Sequence, residues 1–183
     1  VEKLKKKILV TFICFIVIIV GAVFALKQYI SPSHQLTMDY TAINIEEKVM
    51  NMVTNLKSEV VLTEQDIDSL IKQNMNQQLN SFTYINGAKF YVENDILYAI
   101  LNVTLYNKVD AEIHATYNVD WNGSNLNLSP RSLSSKDISL PTSWLETISI
   151  PIYDEAEALV TISSLTNVGR EIVIKLKLSL FSW

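Results

Sequence analysis

Thirteen consecutive residues, 109-VDAEIHATYNVDW-121, alternate apolar and polar without a slip. Val109, Ala111, Ile113, Ala115, Tyr117, Val119 and Trp121 share one side, and Asp110, Glu112, His114, Thr116, Asn118 and Asp120 the other. A period of two belongs to a strand with one dry and one wet face. At ~3.4 Å per residue it would run ~40 Å, about twice the usual strand length. Such a stripe cannot stand alone, so the chain must fold into a sheet with an apolar cover.

The flanking residues supply the sheet. The segments 83-TYINGAKFYVE-93 and 96-ILYAILNVTLY-106 read as strands, separated by Asn94-Asp95, and Asn107-Lys108 turns the chain into 109–121. Asn122-Gly123 is a strong hairpin signal leading into 124-SNLNLS-129. Short connections between successive strands imply an antiparallel meander. After Pro130 the chain reads as irregular until 138-ISLP-141; Ser143 and Glu146 form a capping-box pair opening a short helix over 142-TSWLETI-148. The segments 157-EALVTIS-163 and 170-REIVIKLKLSLF-181 add two strands, joined through 166–169.

Upstream of Phe82 the period is helical. Ile45, Val49, Met52, Val53 and Leu56 line one face of 44–56, and Ile67, Leu70, Ile71, Met75 and Leu79 line one face of 64–79, which Thr63 caps. Between them 59-EVVL-62 reads as a short strand. The expected fold is therefore α+β: an N-terminal transmembrane helix, two amphipathic helices, then a curved antiparallel sheet of about six long strands.

The transmembrane helix is expected over residues 8–26, nineteen residues without a charge, enough to cross a ~30 Å hydrocarbon layer. Lys3, Lys5, Lys6 and Lys7 precede it and only Lys27 follows closely, so the positive-inside rule puts residues 1–7 in the cytoplasm. Residues 27–42 read as a linker and 43–183 as the extracytoplasmic domain. A signal-peptide apolar region is shorter, ~7–15 residues, which favours a retained anchor; Val23-Phe24-Ala25 is the competing cleavage site. Beyond residue 27 ten cations face eighteen acids, a net of −8, which argues against nucleic acid as a partner. Cys14, the single cysteine, lies within the apolar run, leaving no disulfide framework outside it.

Motifs for chemistry are scarce. The chain has two histidines, His34 in the linker and His114 on the wet strand face, and it lacks a G-x-S-x-G elbow and any phosphate-binding loop. Asp110, Glu112, His114 and Asp120 share a face, but a spacing of two along one strand sets neighbours ~7 Å apart, too wide for one ion. No catalytic residue, metal or cofactor is assigned, and the chain reads as non-enzymatic.

The pieces 60-VVLTEQDIDSLI-71, 87-GAKFYVENDILYAILNV-103 and 118-NVDWNGSNLNLSPRSLSSKDISLP-141, after a Lys-rich start and single span, resemble the YpmS family of membrane-anchored extracytoplasmic proteins of Gram-positive bacteria. The resemblance covers about residues 8–150. It implies a single-pass membrane protein of the cell envelope but supplies no catalytic motif. By analogy, the helix and long amphipathic strands also suggest a tubular lipid-binding or AsmA-like domain.

The functional expectation is an apolar groove that binds or hands over a lipid or lipid-linked envelope component. Its lining would be Leu97, Leu101, Leu105, Ile113, Tyr117, Val119, Ile174 and Leu176, with Trp121 and Trp144 framing the mouth. Each buried methylene would contribute ~0.8 kcal/mol. The alternative is a structural or assembly subunit of an envelope protein complex, with the sheet's interior filled.

Overall fold

The computed structural model describes residues 2–55, 57–121, 125–151 and 160–178. Helix α1 (Glu2–Ile30) contains the one described segment long and apolar enough to cross a membrane, Lys5–Ile30. Its described side chains are exposed almost to its end, as no other described residue buries the apolar window.

After an extended segment, α2 (Ile45–Thr54) leads to β1 (Glu59–Leu62) and then to α3 (Glu64–Asn74). Of the expected apolar face of α2, Ile45 is buried, and the side chains of Val49, Met52, Val53 and Leu56 lie outside the described residues. α3 begins in a capping box: the Thr63 side chain accepts from the Asp66 N–H, and the Asp66 carboxylate accepts from the Thr63 N–H at 2.9 Å. Ile67, Leu70 and Ile71 bury its inner face.

α3 stops at Asn74 rather than continuing to 79. The Asn74 side chain donates to Leu70 O, and Asn76 Oδ1 accepts the Gln78 N–H. Such side-chain bonds offer the backbone an alternative to helix. The chain then enters β2 (Gln78–Asn80), which pairs with β3 (Thr83–Glu93).

β3, β4 (Ile96–Leu105), β5 (Val109–Trp121) and β6 (Asn125–Ser135) form the expected antiparallel meander. With β2 and β7 (Ile138–Ser139) at its ends and β8 (Ile148–Pro151) beside β6, it is a curved half-barrel sheet. Residues 122–124, with the expected Asn122-Gly123 turn, lie outside the described residues.

Three sequence expectations are corrected in this region. β6 runs through Pro130, because its pairing with β5 shifts register between Thr116 and Tyr117, opposite Ser132 and Pro130, and the missing N–H falls in that irregularity. The segment 142–148 is not a helix: Thr142–Trp144 makes one 3-10 turn without a side-chain cap, and Ile148 and Ile150 then bury as a strand against Leu128 and Leu126. The chain reverses before β5 at Tyr106-Asn107, one residue earlier than expected, both with positive φ.

The last strands leave the large sheet. β9 (Val160–Val168) and β10 (Glu171–Leu178) turn at Gly169, φ 66°, and β10 pairs with β1 in a separate three-stranded sheet, order β1-β10-β9. Residues 157–159 and 179–181 of the expected strands lie outside the described residues. Val60 and Leu62 face Ile174 and Ile172 in register, and all four are buried. One strand lies upstream of the meander and the other near the end of the chain, so local periodicity could not pair them. Together with α3, which packs on β3, β8 and β1, this small sheet closes the inner side of the half-barrel over Phe90, Leu97, Leu101 and Ile113.

Candidate functional site

The segment between α1 and α2, expected as a polar linker, lies bound across the wet face of the large sheet. Beginning at β5, the Ser33 N–H donates to the Glu112 carboxylate at 2.8 Å. On β4 the Asn102 side-chain amide donates to His34 O at 2.6 Å. Over β3, Leu36 lies against Gly87, and Thr37 O accepts the Ala88 N–H at 3.2 Å on the strand's free edge. The Phe90 N–H, farther along that edge, donates to Asp68 of α3 at 2.8 Å. Residues 33–37 thus form a strap that closes an edge otherwise open to pairing. Asp68 also pairs with Lys72 at 2.8 Å, Lys72 Nζ donates to Asp39 O at 3.4 Å, and the Asp39 N–H donates to Thr37 Oγ1 at 3.3 Å, so the edge, α3 and the strap share one polar network.

Glu112 is the centre of the strap. Its side chain is only 5% exposed, unusual for a carboxylate on the polar face of a sheet. Besides Ser33 it meets His114 Nε2 at 2.9 Å and Lys136 Nζ at 3.6 Å, and Lys136 Nζ also donates to Ser33 Oγ at 3.0 Å. Burial by itself raises its pKa; the Ser33 N–H, His114 and Lys136 outweigh that and hold the carboxyl below its ordinary 4.5. A carboxylate with a lowered folded pKa stabilises the fold above its unfolded value, and that contribution is lost as pH falls through the folded value. Protection of the Ser33 amide from hydrogen exchange is therefore expected to be complete at neutral pH and to fall away below about pH 4.5. E112Q should abolish this pH dependence, while E112A should remove a charge-assisted bond of about 1.5–3 kcal/mol.

The nine apolar candidates whose side chains are described fall in different surroundings. Leu97, Leu101, Ile113, Tyr117 and Ile174 are buried in the core, and burial pushes the Tyr117 hydroxyl's pKa up. Leu105, Val119, Trp121 and Trp144 are partly buried around that core. The side chain of Leu176 lies outside the described residues. Tyr117 and Trp144 meet in a recess of about 140 Å³ beside Met75 and Ile148. Val119 and Trp121 line a separate cleft of about 390 Å³ with Val92, Leu165 and Ile172. Among the described residues, the apolar candidates are thus shared between the core and these two recesses.

The acidic face of β5 forms pairs rather than a cluster. Thr104 Oγ1 donates to Asp110 at 2.7 Å, and Ser129 lies 3.5 Å from Asp120. Among the described residues no group of three or more His, Cys, Asp or Glu is placed to hold a metal ion. Sequence reasoning missed the strap residues Ser33, Asn102, Glu112 and Lys136. One signal was present: a glycine inside a long strand, Gly87, marks a close backbone approach. Compared with protein-family models, curated proteins and solved structures, the chain matches none.

Proposed function

We propose that the chain is a single-pass membrane protein whose domain, residues 43–183, stands outside the cell and works by binding rather than catalysis. Its role in this reading is that of a structural or assembly subunit of an envelope protein complex. The lysines ahead of the span support this orientation, and the resemblance to the YpmS family belongs to the same reading. The observation that carries it is the strap. Only Ser31 and Pro32 separate the end of α1 from the strap's bond to Glu112, which in this reading gives the faces of the domain a set orientation to the membrane. An assembly subunit needs that fixed presentation. A carrier that swings between membranes does not.

A second reading, lipid binding or hand-over, is favoured by one feature: the cleft of Val92, Val119, Trp121, Leu165 and Ile172. Its volume of about 390 Å³ falls in the ~300–1,000 Å³ range of small-ligand sites. In-cell crosslinking of the full chain, followed by protein and lipid mass spectrometry, separates the two. The first reading expects one stoichiometric protein partner and no retained lipid. Retained lipid at one per chain, with no protein partner, would transfer the function to the cleft.

A further inference from the structure

We propose that the turn end of the large sheet, with Phe82 and Tyr106 at its tip, sits in the headgroup zone of the membrane that α1 crosses. This rests on α1 being a spanning anchor. Because successive strands run antiparallel, the connections at Ser81-Phe82, Tyr106-Asn107 and Lys136-Asp137 all lie at one end of the sheet. The anchor arrives at that end. The Tyr29 hydroxyl, in the last turn of α1, donates to the Asp137 carboxylate at 2.8 Å. Helical side chains lean toward their helix's N-terminus, so the Asp137 turn lies on the membrane side of Tyr29. From Ile30 to Ser33 the chain can reach only about 10 Å before it is fixed to Glu112. The sheet end is therefore held close to the point where the helix leaves the bilayer.

What this end displays suits that position. The Phe82 and Tyr106 rings stack with centroids 4.8 Å apart, yet they remain 56% and 66% exposed. Tyr84, next along β3, is also exposed. Aromatic rings exposed to water gain by entering the interfacial layer, where an apolar body and a polar tip are both accommodated. The backbone adds a second observation. Tyr106 and Asn107 hold φ of 50° and 54° in the three-residue connection, 106–108, that joins β4 to β5. The two-residue turn at the opposite end, between β3 and β4, also holds positive φ, with Asn94 and Asp95 at 51° and 61°. Such turns favour Asn, Asp and Gly, and a bulky residue there is strained. Of these two described turns, the one with an aromatic at a strained position is at the end where the anchor docks.

Depth-dependent quenching of the full chain in nanodiscs tests this. F82W places an indole at the proposed contact, and E93W places one at the other end of β3, about 35 Å away. Each is read as the difference from the parent chain, which holds its own tryptophans. With lipids brominated near the headgroup, the added F82W emission should drop roughly twofold and the E93W emission should not change. Equal emission of F82W in brominated and plain lipid would overturn the contact, leaving the patch for a protein. Quenching of E93W alone would overturn the orientation. Alkaline extraction of the same nanodisc lipid as vesicles checks the anchor separately. A chain stripped from the bilayer would overturn the spanning reading and the contact with it, whereas a chain that resists while F82W stays bright would overturn the contact alone.

Discussion

Gly87→Ala is expected to lift the strap from the sheet. An added Cβ would stand 2.0 Å from Leu36 O, 2.3 Å from its carbonyl carbon and 2.9 Å from its Cβ. The first two are backbone atoms, so rotating a side chain cannot relieve the clash. Either β3 or the strap must move, and overpacking of this kind costs about 1–3 kcal/mol. The strap is the weaker party. It is held by two bonds at Ser33 and one each at His34 and Thr37, whereas β3 is paired along its length with β4. Spin labels at K27C and R131C, in a C14S background, should show a broadened distance distribution in G87A by pulsed electron resonance. Gly169→Ala is the control. Its Cβ would meet nothing within 4 Å, but its φ of 66° makes any side chain unfavourable. G169A should cost about 1 kcal/mol through the backbone and leave the anchor-to-sheet distance unchanged.

Leu101→Ala is expected to destabilise the fold by about 2–5 kcal/mol in chemical denaturation, the range for truncating a filled core. Leu101 is buried on the inner face of β4, cross-strand from Ile113 and Ala88, which are also buried. The alternative makes a different forecast. If this side chain lined a lipid trough, truncation would remove contacts to the guest and leave the empty fold almost unaffected. A cost well under 1 kcal/mol, together with loss of a co-purifying lipid, would return the interior to the groove reading.

The elements that could be read from sequence are those whose own periodicity decides them. The alternation over 109–121 gave β5 its full length, and Thr63 with the first-turn acids placed the start of α3. Where partners elsewhere in the chain decide, local pattern failed. Ser143 and Glu146 have the spacing of a helix start, yet Ile148 and Ile150 gain more by pairing with Leu128 and Leu126. The separate sheet depends on β1 meeting β10 across more than half the chain. The candidate residues were read from alternation, which assigns a face and not what the face packs against. Alternation placed Leu97, Leu101 and Ile113 inward, and it could not show that α3 and the small sheet would fill the space they face. Glu112 looked like one more solvated carboxylate of the wet face, because its burial is created by Ser33, far away in sequence.

The central claim is that the strap fixes the domain to its anchor. The parent chain carrying the K27C and R131C labels in nanodiscs tests this most directly. One narrow distance peak at neutral pH is the predicted result, as Glu112 holds Ser33 and Gly87 admits Leu36. A broad distribution, as wide as that expected of a chain free to pivot about residues 31–40, would contradict it.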